Sequence, residues 1–135
     1  MTRTIFLGKA TNEQKKAYQT VLSAQQKAIE SLNHNLKNNL ETNTSSIDQV
    51  ARDYIAHLGY PNIPHSLGHG IGLQVHESPN LSPKSKYNLE ENMVFSIEPG
   101  IYLPDKFGIR IEDLFVILDN SLRQLTNSPK NLIEL

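Results

Sequence analysis

Three of the chain's five histidines, His65, His69 and His76, fall in the segment His65-Ser66-Leu67-Gly68-His69-Gly70-Ile71-Gly72-Leu73-Gln74-Val75-His76-Glu77-Ser78-Pro79. Two segments downstream, Ser96-Ile97-Glu98-Pro99-Gly100-Ile101-Tyr102 and Gly108-Ile109-Arg110-Ile111-Glu112-Asp113, each set a carboxylate in an otherwise apolar, strand-like run. A carboxylate taken out of water is costly unless it is paired or bound to a metal. Two that converge repel each other unless a cation lies between them. One histidine and two inward-facing glutamates therefore make most of a divalent-metal site. With no cysteine in the chain, its donors must be nitrogen and oxygen. For Glu112 the simpler alternative is an ion pair with Arg110 or with a lysine.

The histidine run has competing readings. His65 and His69 are spaced i, i+4, as in a zinc-binding helix, but Gly68, Gly70 and Gly72 oppose a helix and Ser66 stands where such a motif needs its glutamate base. The alternating glycines also suit a phosphate-cradling loop, yet no Lys-Ser or Lys-Thr follows and no strand-to-helix context surrounds them. They do permit positive φ and close strand contact, which lets His69 point into a cleft. A lone histidine in a strand is usually a packed core residue. Three at this spacing, beside Glu77 and Pro79, favour the functional reading over a purely structural β-rich domain.

The elements that must position these groups are readable in outline. Arg3 to Leu7 reads as a strand ending at Gly8. Thr11 and Gln14 form a capping box, and Ala17, Tyr18, Val21, Leu22, Ala28, Ile29, Leu32 and Leu36 recur at helical steps. After a polar linker, Asn38 to Ser45, a second helix carries Ile47, Val50, Ala51, Tyr54, Ile55 and Leu58, capped by Ser46 and ended by Gly59. Both helices should lie on one side of a sheet. Val94 to Glu98 and Ile109 to Leu118 read as strands, with Pro104 to Gly108 as their hairpin connection. Alternation then puts Glu98 on one face with Ser96 and Val94, and Glu112 with Arg110 and Leu114.

The 135 residues suit one domain rather than two. With 13 basic and 14 acidic residues and a net charge of -1, the chain has no field to recruit nucleic acid or an anionic membrane. No apolar run is long enough to span a bilayer, and the first residues lack the pattern of a signal peptide. Together with the absence of cysteine, this makes a cytoplasmic location the expectation.

Taken in order, the three segments resemble the successive active-site motifs of the pita-bread metallopeptidases, in particular the Xaa-Pro aminopeptidase and Xaa-Pro dipeptidase (prolidase) branch. The resemblance covers nearly the full chain. It implies an α+β pita-bread fold, incomplete at the N-terminal side, in which residues 1–135 are the C-terminal part of a single catalytic domain. It further implies that His69 and Glu98 are ligands of one metal, that Glu112 bridges two metals, and that His65 and His76 are catalytic, non-ligand histidines that bind substrate and stabilise charge at the scissile carbonyl. Arg110 matches a substrate-binding arginine beside the bridging glutamate. The implied reaction is hydrolysis of the bond before a proline at a peptide's N-terminal end by a metal-bridged hydroxide. Manganese is the metal expected by resemblance, and cobalt, iron or zinc suit the same donors.

The family's centre also uses two aspartates from a hairpin ahead of a Ser-Asp-X-Thr-Arg-Thr motif, whereas this chain opens at Met1-Thr2-Arg3-Thr4. None of Asp48, Asp53, Asp105, Asp113 or Asp119 stands in a context to replace them. The expectation is one weakly held ion at most and little hydrolysis by this chain alone. A homodimer or a complementing N-terminal segment is then the expected cover for the apolar surface left open. The alternative is a non-catalytic module of the same fold that binds a peptide or protein partner.

Overall fold

The computed structural model describes residues 1–135. Helix α1 (Asn12–Lys37) starts at the predicted capping box: the Gln14 N–H donates to Thr11 Oγ1 at 3.2 Å and the Thr11 N–H to Gln14 Oε1 at 2.8 Å. Its buried residues are Ala17, Tyr18, Val21, Ala24, Ala28, Leu32 and Leu36, and also two polar side chains that periodicity did not mark, Thr20 and Gln25. Helix α2 (Thr44–His57) is capped by Asn43, three residues ahead of the expected Ser46. Asn43 accepts from the Ser45 and Ser46 N–H groups, while a bridge to Asn88 holds its backbone extended. Asparagine caps as well as serine does, so the tertiary bridge decides between them. Gly59, at φ +84°, ends the helix as expected.

The strands are β1 (Ile5–Phe6), β2 (Gly68–Gly70), β3 (Glu77–Leu81), β4 (Val94–Ile97), β5 (Gly100–Leu103), β6 (Phe107–Arg110), β7 (Asp113–Leu118), β8 (Ser121–Gln124) and β9 (Ile133–Glu134). A five-stranded antiparallel sheet runs in the order β3-β2-β4-β7-β8; β5 and β6 form a separate hairpin, and β1 pairs in parallel with β9. Three expectations are corrected. The first strand keeps only Ile5 and Phe6, because Arg3 and Thr4 direct their side chains to Asp113 and Arg110 and Thr2 bridges to Glu112. The run Ile109 to Leu118 is two strands, not one. Its backbone changes partner on the way, from β5, to Pro99 and Thr2 at Ile111 and Glu112, then to β4. The turn near Pro104 to Gly108 accordingly joins β5 to β6, and Glu98 and Glu112 sit at strand junctions, just after β4 and just before β7.

Helices α1 and α2 pack against each other, α1 also against β5, β6 and β8, and α2 against β3. Phe95, Ile97, Phe115 and Ile117 of the sheet, Ile101 and Ile109 of the hairpin, and Leu32, Ile47 and Ile55 of the helices are fully buried. Side chains of this kind stabilise the fold by roughly 1.5–3 kcal/mol each. No helix is long and apolar enough to cross a membrane.

Candidate metal centre

The site is built where β2 runs unusually close to its neighbours. A Cβ at Gly68 would lie 1.9 Å from the Ser96 carbonyl oxygen, and one at Gly70 would lie 2.3 Å from that of Ser78. Neither glycine has positive φ, which among glycines is confined to Gly8 and Gly59. The expected close contact is present, and the expected positive φ is not. This approach lets the His69 N–H donate to Ser96 Oγ at 3.1 Å, while the same hydroxyl donates to Glu98 Oε1 at 3.1 Å. The Glu98 N–H is anchored on the Leu67 carbonyl at 2.7 Å.

His69 Nδ1 lies 3.0 Å from the Gly70 carbonyl oxygen. A carbonyl only accepts, so Nδ1 carries the proton, and in the neutral ring the Nε2 lone pair is turned toward Glu98 Oε1, 3.1 Å away. A lone pair facing a carboxylate oxygen at that distance calls for a proton or a cation. Glu112 completes the group: His69, Glu98 and Glu112 each offer a ligand atom, and these atoms lie within 4.8 Å of one another. An imidazole nitrogen with two carboxylates, largely withdrawn from solvent, is a donor set that could hold a divalent ion. Glu112 is not paired with Arg110 or a lysine, as its simpler reading required. Its Oε2 accepts from the Thr2 hydroxyl and lies 3.6 Å from the Met1 amino group. Arg110 instead approaches Glu98, with Nη1 3.8 Å from Oε2, and its Nε is buried with no hydrogen-bond partner.

The other sequence-marked residues gather around these. His65, His76 and Arg110 line the same cavity of about 260 Å³ as His69 and Glu98, together with Ser66 and Asn80. The His76 ring is exposed and its centroid is 4.3 Å from that of His69. His65 is half-buried, with Nδ1 2.8 Å from the Ser66 carbonyl and Nε2 2.9 Å from the Tyr102 hydroxyl. Nδ1 therefore donates and Nε2 accepts from the tyrosine. Burial pushes the Tyr102 hydroxyl above its ordinary pKa, with Glu98 and Glu112 adding to the rise and Arg110 opposing it. The phenol is thus held protonated and able to donate.

Tyr102 ends the segment Ser96 to Tyr102 but shows no pattern in the sequence that marks it as a partner of His65, and the polar supports Arg52 and Asp48 show none that marks them as buried. Arg52 grips Asp48 through Nε at 2.6 Å and Nη2 at 3.1 Å, and donates to the carbonyls of Ile63 and His65 at 2.6 Å each. Asp48 Oδ1 also accepts from the Leu67 N–H at 3.1 Å. The pair fastens the histidine-bearing loop to α2. The signal was an Asp and an Arg four residues apart, which reads as a surface pair until Asp48 is seen to be fully buried. Asp113 is also fully buried and faces away from the donor group, toward Arg3, Lys130 and Thr126. Its burial would raise the carboxyl's pKa, but the hydrogen bonds from Lys130, Arg3 and Thr126 outweigh that and lower it. A larger cavity, about 650 Å³, contains no histidine; its lysines, Lys9, Lys15 and Lys130, are engaged by Glu134 and Asp113.

A buried histidine beside two strand-junction glutamates, within an α+β pita-bread architecture, defines the class as metallopeptidase. The chain belongs to metallopeptidase family M24, whose model matches residues 1–119. It is 43% identical over 134 residues to an Xaa-Pro dipeptidase of Pyrococcus horikoshii, a match covering 98% of this chain and 36% of that protein. Among solved structures it is similar to a dipeptidase from Pyrococcus horikoshii, with TM-score 0.89, 37% identity, and coverage of 98% of this chain and 36% of that one. It is also similar to an X-Pro aminopeptidase from Thermotoga maritima, with TM-score 0.85, 38% identity and the same coverages. The chain spans about a third of the length of these relatives.

Proposed function

We propose that residues 1–135 serve as one folded part of an Xaa-Pro peptidase catalytic domain, acting in the cytoplasm on the N-terminal end of proline-containing peptides. The observation that carries this is the convergence of ligand atoms from His69, Glu98 and Glu112, of which His69 and Glu98 line a polar cavity. A bound divalent ion, by resemblance Mn(II), would supply Lewis-acid polarisation of the scissile carbonyl and a lowered pKa for water. The chain's own residues do the rest. Glu98 and Glu112, with His69, would hold the ion. His65, held by the Ser66 carbonyl at Nδ1 and by the Tyr102 phenol at Nε2, lines the cavity as a side chain fixed in place to bind substrate. His76 lines the cavity beside His69, and Arg110, with its side chain 41% exposed and Nη1 3.8 Å from Glu98 Oε2, would meet a substrate carboxylate or carbonyl through its guanidinium end.

These 135 residues contribute three donor groups to the centre. Alone, the chain is expected to take up one ion weakly and to turn over little or no substrate, with a second copy or a complementing segment supplying what completes the site. The test is calorimetric titration of Mn(II) into the chain and into His69→Ala, with Xaa-Pro peptide hydrolysis assayed in parallel. One weak site abolished by His69→Ala, without turnover, is the expected result. Two ions with normal turnover would contradict the mononuclear reading. No uptake by the unaltered chain would remove the metal centre altogether.

A further inference from the structure

We propose that Gln25, on the buried stripe of α1, is a positioning residue that sets the spacing of Glu98 and Glu112. Its side chain is 1% exposed. Nε2 donates to the Ile97 carbonyl at 3.0 Å and to Asp113 Oδ2 at 3.1 Å, with the Ile111 carbonyl at 3.4 Å; Oε1 accepts from Lys130 Nζ at 3.1 Å. Ile97 and Ile111 are the residues immediately before Glu98 and Glu112, and Asp113 is the residue immediately after Glu112. One amide thus touches both carboxylate-bearing junctions at the point where the two strands part company. The Ile111 carbonyl receives no backbone hydrogen bond, so Gln25 is its one donor.

A primary amide in an apolar helix stripe is costly to bury unless its hydrogen-bonding capacity is met, and here both ends are engaged. Chemistry restricts what could replace it. An apolar side chain leaves the Ile111 carbonyl orphaned. A lysine brings a competing cation toward the carboxylates, and a glutamate cannot donate to carbonyls while ionised. Glutamine joins the junctions without adding charge. Groups that orient a metal's ligands from behind typically change its affinity 10–100-fold when removed.

The inference rests on His69, Glu98 and Glu112 being the metal ligands, so its test carries one readout that needs no metal. Gln25→Met keeps the length and helix preference of the side chain and removes its hydrogen bonds. Leu32→Val, a buried change on the same helix remote from both junctions, is the control for loss of stability alone. The variants are compared under conditions where both are folded, by Co(II) affinity, by the visible spectrum of bound Co(II), and by metal-free amide hydrogen exchange at Glu98 and Glu112 relative to Phe115. Gln25→Met should weaken Co(II) binding about tenfold, shift the spectrum and accelerate exchange at both glutamates about tenfold relative to Phe115. Leu32→Val should lower the unfolding temperature and leave all three unchanged. If Gln25→Met matches Leu32→Val in affinity, spectrum and exchange, the inference is overturned. If the unaltered chain binds no Co(II), the metal-centre reading fails while the exchange ratio still decides: acceleration at the two glutamates supports the positioning role, and no change overturns it.

Discussion

At Gly68 a single missing carbon decides how near β2 can come to β4. Because the obstacle to a Cβ is the Ser96 backbone carbonyl rather than a flexible side-chain tip, Gly68→Ala must push the strands apart. Overpacking of this kind costs roughly 1–3 kcal/mol, and the upper end is expected here. Urea unfolding monitored by circular dichroism measures it, and an unchanged midpoint would refute the close-packing account. The glycines stand out in the sequence by their alternation, but sequence cannot show whether a glycine answers to φ or to a neighbour's distance. Here distance is the reason. The same gap explains the two sides of the histidine cluster: residue types and spacing marked His65, His69 and His76, whereas the carbonyls that fix the tautomers of His65 and His69, those of Ser66 and Gly70, belong to backbone that no side-chain pattern describes.

Among the elements, what is local was legible and what is tertiary was not. The capping box of α1 is written in two residues three apart, and it starts the helix where expected. Gln25 reads as noise in the apolar stripe, because its partners come from residues more than seventy positions away. The division between β6 and β7 is hidden for a related reason: both halves are rich in β-branched residues, and the break comes from Thr2 and Pro99 capturing the intervening backbone. Helix α2 gives a test at this scale. Truncating Arg52→Ala leaves the Asp48 carboxylate buried without its cation and frees the loop at Ile63 and His65. Breaking a buried pair from one side typically costs about 3–5 kcal/mol. Arg52→Lys should recover only part of it, since an ammonium cannot reproduce the guanidinium fork that serves Asp48 and two carbonyls together. Thermal unfolding of the two variants provides the comparison, and full recovery by lysine would rule out the fork.

For the molecule as a whole, the two ends of the chain are tied together by β1 and β9, and Glu134 secures that tie. It accepts from Lys15 at 3.0 Å, Lys9 at 3.1 Å and the Ala10 N–H at 3.0 Å. Those hydrogen bonds, Lys15 first, then Lys9 and Ala10, pull its pKa down to about 2 from 4.5. A carboxylate with a lowered folded-state pKa contributes its full stability above the unfolded value and loses it as pH falls through the folded one. The difference in urea midpoint between the unaltered chain and Glu134→Gln should therefore be constant above pH 4.5, shrink below it and vanish near pH 2. A difference independent of pH would mean that shape, not charge, holds the ends. Across the molecule, the histidine loop hangs from α2 through Arg52, Gln25 reaches the glutamate junctions from α1, and Lys27 of α1 sits 5.0 Å over the Tyr54 ring of α2. None of these four side chains lines the cavity. A laboratory selection for altered metal preference that randomises only the cavity wall will therefore leave the supports of the donors untouched, and should also include the helix residues that reach the histidine loop and the glutamate junctions, Arg52 and Gln25.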